Sequence, residues 1–244
     1  MRFLRLFWFH LKLYASNQYF FWLTLSSTAS IFLLQYVMAY ATHNLSDPNL
    51  WVRSGVFGLW SSATTAAGAI GFQRYQGTLR YITNTRIDNR LSLAALLLPA
   101  ASFGLLAFPV AYGLAVFLKT GHANLSWHLV LVMGLLWVAA ALMDQLIATF
   151  FVLTVNAIVY EELITIPLLL LSGLFGSSPL VRPLLNAGEW VIPIAVPVNR
   201  LLNEQASVNW LGFLCSLALW TGLTLVLSGR IMRIAKQTGS AGVM

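Results

Sequence analysis

Charge is scarce in this chain. Of its 244 residues only 9% are Asp, Glu, Lys or Arg, about a third of the share in an ordinary globular protein, and that scarcity excludes a fully water-facing surface. Cysteine is reduced to Cys215, which sits inside an apolar run, so an intrachain disulfide and a cysteine-rich metal site are both excluded. No lysine follows a glycine: Lys12, Lys119 and Lys236 follow Leu11, Leu118 and Ala235. A phosphate-cradling P-loop is therefore absent, and the chain is expected to bind no ATP of its own. His10, His43, His122 and His128 are scattered without helical metal-ligand spacing, and spacing identifies no Ser, His and Asp grouping. No metal site and no catalytic residue are expected. The formal net charge of +7 is spread between apolar runs and does not form one basic face with interleaved aromatics, which argues against nucleic acid as a partner.

What the chain has in abundance is apolar surface. It is 59% hydrophobic, with a mean hydropathy of +0.77, and such surface is accommodated by lipid. Runs of about 18 residues or more mark spans near Tyr19 to Tyr40, Gly55 to Phe72, Leu91 to Leu118, Leu129 to Phe150, Val155 to Phe175 and Trp210 to Leu227. The expected fold class is an all-α integral membrane protein with six transmembrane helices, occupying residues 17–230. The third run carries Pro99 and Pro109 and is expected to kink or break. The second is rich in small residues from Ser61 to Gly71, a composition that serves helix packing within the subunit, a dimer interface or a translocation path.

Residues 1–16 interleave Arg2, Arg5, His10 and Lys12 with aromatic and aliphatic side chains. This predicts an amphipathic helix lying in the membrane interface; a cleaved signal is the competing reading, weakened by the length of the apolar run that follows. With the N-terminus inside, the cytoplasmic segments hold Arg2, Arg5, Lys12, Arg74, Arg80, Arg86, Arg90, Arg230, Arg233 and Lys236, against Arg53, Lys119, Arg182 and Arg200 outside. That imbalance predicts a multi-pass protein of the cell membrane with both termini, including the tail at 231–244, in the cytoplasm.

Ionisable groups inside apolar runs are costly and tend to be functional. Asp144 lies in the fourth run, and Glu161 with Glu162 at the inner end of the fifth. Three roles stay open for them: solvation or pairing at the cytoplasmic end, lining a substrate path, or a proton relay. Between the second and third runs, the basic loop 73–90 places Tyr75, Leu79 and Ile82 at helical spacing on one side. Such a face is buried either in the headgroup layer or in a groove on a soluble partner.

Gly77-Thr78-Leu79 in that loop resembles the coupling helix of ABC type-2 exporter permeases. The segment Pro167 to Gly173, followed by Pro179, Trp190, Pro193, Pro197 and Arg200, is similar to that family's fifth span and broken outer segment. The chain departs from the family at Gln73, where an acidic residue is frequent, and at Asn84-Thr85-Arg86, where a proline is. The resemblance implies a permease subunit, not an enzyme, that exports a hydrophobic or amphipathic substrate: a drug, antimicrobial peptide, lipid or lipid-linked glycan. Its implied partners are a separate ATP-binding cassette subunit carrying ATP and magnesium, a second permease copy or paralogue, and membrane lipids. Tyr75, Gly77, Thr78, Leu79, Arg80, Ile82 and Arg86 would form the docking surface. Asp144, Glu161, Glu162, Ser172 and Gly173 are the candidates for a substrate path or gate, and residues 176–205 an outer re-entrant segment. An intramembrane enzyme acting on lipid and a non-transporting anchor or sensor subunit are the rival expectations.

Overall fold

The computed structural model describes residues 2–75, 88–121, 126–154, 157–176, 179–203 and 207–237. Among them the chain forms ten helices and no strand: α1 Arg2–Ser16, α2 Gln18–Ala41, α3 Asn49–Tyr75, α4 Asn89–Gly104, α5 Ala107–Phe117, α6 Trp127–Phe151, α7 Ala157–Leu171, α8 Arg182–Val191, α9 Ala195–Leu202 and α10 Trp210–Gln237. Short polar side chains start several of them by accepting from amides that have no partner within the helix. Asn17 accepts from the Tyr19 amide at 3.0 Å, Asp47 from Asn49 at 2.9 Å, Asp88 from Arg90 at 2.9 Å and Ser126 from Leu129 at 3.2 Å.

The third apolar run is broken, as its prolines predict. Pro109 has no N–H, and its ring occupies the space of the carbonyl four residues earlier, at Leu105. The helix therefore stops at Gly104 and restarts at Ala107. Leu105 and Leu106 bridge the gap through tighter bonds to Ser102 at 3.2 Å and Phe103 at 3.0 Å. Pro99 is carried inside α4.

Helix α3 is the axis of the molecule. It packs against α2, α4, α5, α6, α7 and α9, and every side chain described from Leu50 to Ile70 is buried or half-buried. Small residues make this possible. A Cβ on Gly58 would fall 2.6 Å from the Ala107 Cβ and collide with the Thr28 hydroxyl; one on Gly104 would lie 2.9 Å from the Leu59 carbonyl. Ser62 donates to the Ala100 carbonyl at 2.9 Å, tying α3 to α4 directly. Of the small residues in the second run, Ser62 therefore serves helix packing within the subunit.

Among the described residues, four helical stretches are long and apolar enough to cross a membrane: Gln18–Ala41, Arg90–Phe117, Trp127–Phe151 and Trp210–Ala235. The other two expected spans fall short for different reasons. Helix α3 has ample length at 27 residues, but its Ser, Thr, Gly and Trp dilute the apolar content. Helix α7 is apolar but only 15 residues long. Large hydrophobic side chains nonetheless cover the outside of the bundle, among them Phe21, Trp22 and Val37 on α2, Leu163 and Ile166 on α7, and Leu211 and Leu214 on α10. Such an exterior suits lipid.

One apolar cluster joins Tyr14 of α1, Ile70 of α3, Leu93 of α4, Phe151 of α6 and Ile231 and Ala235 of α10. Both described ends of the chain therefore lie at the same end of the bundle. Helix α1 is packed there against α4, with Tyr14 buried while Leu4, Trp8, Phe9 and Leu13 are exposed on its other side. Burial also lowers the His10 imidazole below its ordinary value, which keeps this inner flank of α1 uncharged near neutral pH.

If α3 is the packing axis, Gly58→Val should destabilise the protein by about 1–3 kcal/mol through overpacking. Gly134→Ala, inside α6 where an added Cβ meets no atom within 4 Å, should not destabilise and should gain about 0.5–1 kcal/mol from helix propensity. Thermal unfolding in detergent, followed by tryptophan fluorescence, checks both; an unchanged midpoint for Gly58→Val contradicts the close approach.

Candidate functional site

Helices α2 and α7 both pack on α3 and have little contact with one another. The space left between them is a groove of about 360 Å³, lined by Tyr19 and Leu23 of α2, by Phe57, Trp60, Ser61, Thr64 and Thr65 of α3, and by Glu161, Glu162, Thr165, Ile166 and Leu169 of α7. Its character follows from the helices that make it. The α3 wall supplies hydroxyls and two aromatic rings, the α7 wall supplies the carboxylates, and Leu23, Ile166 and Leu169 add apolar surface.

Glu161 sits against Gly68, where a Cβ would overlap its carboxylate, and the Thr65 hydroxyl donates to it. The small residues of α3 thus admit an acidic side chain from α7 to the helix surface. Glu162, next along α7, is exposed. Behind this wall Asp144 of α6 is completely buried. Neither of its carboxylate oxygens has a hydrogen-bond partner of good geometry; the Ala67 backbone of α3 offers at most a weak one, and the Glu161 carboxylate lies within its electrostatic reach. Tyr14 of α1 belongs to the same neighbourhood. Burial, with the Asp144 charge adding to it, pushes its phenol above the ordinary value. Four helices therefore converge on one acidic locus close to the end of the bundle that carries both chain ends.

Ser172 and Gly173 are elsewhere. Helix α7 ends at Leu171, Ser172 donates to the Leu169 carbonyl at 2.6 Å, and Gly173 takes φ 80°, the left-handed turn with which glycine commonly closes a helix. Both residues line a second cavity, also of about 360 Å³, at the opposite end of the bundle, with Asn49, Arg53, Arg182, Asn186, Glu189, Asn199 and Asn203. The five candidates for a path or gate thus divide into an acidic group of three, Asp144, Glu161 and Glu162, and a pair at the far end.

Of the expected docking surface, Tyr75 is the last residue of α3, while Gly77, Thr78, Leu79, Arg80, Ile82 and Arg86 lie outside the described residues. No group of His, Cys, Asp and Glu suited to a metal ion occurs among the described residues. The segment 176–205 contains the short helices α8 and α9, and Ile192, Ile194, Val196 and Val198 are buried between and within them.

Sequence reasoning missed two features. Tyr14 was read as part of an interfacial helix, and its approach to Asp144 has no sequence signal because the two are joined only by tertiary packing. The polar lining of the far cavity did leave a trace: Asn186 and Glu189 are three apart and Asn199 and Asn203 four apart, which places each pair on one helix face. Compared with known proteins, the chain matches no family model, no curated protein and no solved structure.

An unpartnered buried polar group is costly. Asp144→Val is accordingly expected to stabilise the isolated protein by about 1–3 kcal/mol, read as a raised unfolding midpoint in detergent. A lowered midpoint would assign Asp144 a structural role instead.

Proposed function

We propose that this chain is the membrane-spanning permease subunit of an ATP-driven exporter of the ABC type-2 kind. The observation that carries the reading is the groove between α2, α3 and α7, with the unpaired Asp144 behind its acidic wall. A carboxylate held in an apolar interior without a partner is expensive. Its placement beside a groove that combines apolar and polar lining fits a path taken by hydrophobic or amphipathic molecules leaving the bilayer better than it fits a purely structural anchor.

In this reading α3 and α7 also cross the membrane, giving six passes. The passage of α3 does not require high hydropathy, because its neighbours shield it from lipid. The location of both chain ends at one end of the bundle agrees with an even number of crossings, and the excess of Arg and Lys in the segments at that end favours the cytoplasm. The loop after α3 then faces the cytoplasm, where Tyr75, Leu79 and Ile82 would meet a separate ATP-binding subunit that holds ATP and magnesium. A second permease copy or paralogue would complete the transporter. Motion in the nucleotide-binding partner would shift the population of membrane conformations by differential affinity.

The reading is tested by co-purifying the chain with an ATP-binding cassette subunit from the same cell. Wild type should retain the partner and Leu79→Asp should lose most of it, without change in the unfolding midpoint of the permease alone. In reconstituted vesicles Glu161→Gln should lower ATP-dependent transport while leaving partner binding intact. Absence of any complex with wild type overturns the proposal, and turnover of a lipid by the chain without an ATP-binding partner would favour a membrane enzyme.

A further inference from the structure

The cavity at the far end of the bundle is built differently from the acidic groove. It is closed by α3, the turn after α7, and the short helices α8 and α9, and its lining is rich in guanidinium and amide groups. Among the described residues that line it, the one carboxylate, Glu189, is already occupied: Oε1 accepts from Asn199 Nδ2 at 2.9 Å and Oε2 from Asn209 Nδ2 at 3.4 Å. Asn203 in turn donates to Asn199 Oδ1 at 3.3 Å. The arginines are not matched in this way. Arg53 meets Asp47 through Nη1 at 3.4 Å, yet its Nε is buried without a partner. Arg182 makes no ion pair with any described residue.

The cavity is therefore short of acceptors and supplied with donors. An oxygen-rich anion corrects that imbalance, because guanidinium groups bind phosphate oxygens through several directed hydrogen bonds at once. The surroundings fix its source further. Leu180, Leu184 and Trp190 are exposed on and beside α8, and Trp220 Nε1 reaches the Val191 carbonyl at 2.7 Å. Exposed apolar and aromatic side chains around a polar, cationic pocket are the composition expected where lipid headgroups lie.

We propose that this cavity binds a phosphodiester carrying hydroxyl groups, of the kind presented by the headgroup of an anionic glycerophospholipid, with Arg53 and Arg182 on the phosphate and Asn186 on a hydroxyl. The site is independent of the transport reading, since it requires neither the ATP-binding subunit nor the acidic groove.

The experiment titrates the full chain in lipid-free detergent micelles with three probes: short-chain phosphatidylglycerol, the soluble phosphodiester glycerophosphoglycerol, and the matching diacylglycerol without phosphate. Calorimetry should show saturable binding of phosphatidylglycerol and none of diacylglycerol. Arg182→Gln should weaken binding about tenfold, the loss of one charge-assisted hydrogen bond. Arg182 is exposed, so this variant should unfold at the wild-type midpoint; Asn186→Ala, also exposed, provides a second lesion of the same site. Binding of glycerophosphoglycerol as tight as that of the lipid upholds the chemistry with a soluble source, and binding of the lipid alone upholds it with a membrane source. Equal binding of phosphatidylglycerol and diacylglycerol, or binding unchanged in both variants, overturns the proposal.

Discussion

Everything in this molecule is arranged around how little side chain α3 carries. Six helices pack on it, and they do so because glycine, alanine and serine let backbones come within a distance that branched or aromatic residues forbid. In lipid, association gains little from expelling water, so close van der Waals contact and hydrogen bonds between helices must provide the attraction. The Ser62 to Ala100 bond and the approach of α5 at Gly58 are examples of both. The same absence of bulk that joins the helices admits Glu161 to the surface of α3 at Gly68. Packing and acidic site share one cause.

That shared cause sets stability against chemistry. A buried carboxylate without well-formed hydrogen bonds is a liability to the folded state, and among the described residues the group that acts on Asp144 by its charge is a second acid, Glu161. The arrangement is tolerable only because the rest of the bundle is densely packed, with Phe32, Trp51, Leu59, Leu136 and Phe151 almost wholly shielded. The acidic locus also gathers residues far apart in the chain: Tyr14, Ala67, Asp144 and Glu161 come from four different helices.

The helical class and most element positions follow from hydropathy alone. Tyr19 to Tyr40 became α2, Leu129 to Phe150 became α6, and the break in the third run was foreseeable from Pro109, whose ring leaves no room for a continuous ladder. Counting spans was harder. Helix α3 is the most enclosed helix yet misses the apolar standard, since a helix surrounded by protein need not be hydrophobic, and α7 is shortened by the turn at Gly173. Asp144 and Glu161 could be singled out individually because charges inside apolar runs are rare. Their convergence could not, since periodicity within one helix carries no information about which faces of separate helices meet. The far cavity was half visible in the spacing of its asparagines, but Arg53, from a helix more than a hundred residues earlier, had no such marker.

The shortness of α7 has a consequence for the lipid around it. Fifteen residues rise only about 22 Å, against a hydrocarbon layer of about 30 Å. As a crossing helix, α7 leaves a deficit that must be met by local thinning of the bilayer, while its neighbour α2, at 24 residues, is long enough for the full thickness. The step between them falls along the groove. Acyl chains at its mouth would be compressed and tilted relative to those elsewhere on the perimeter, so the protein's own outline would favour thin or short-chain membrane beside the carboxylates.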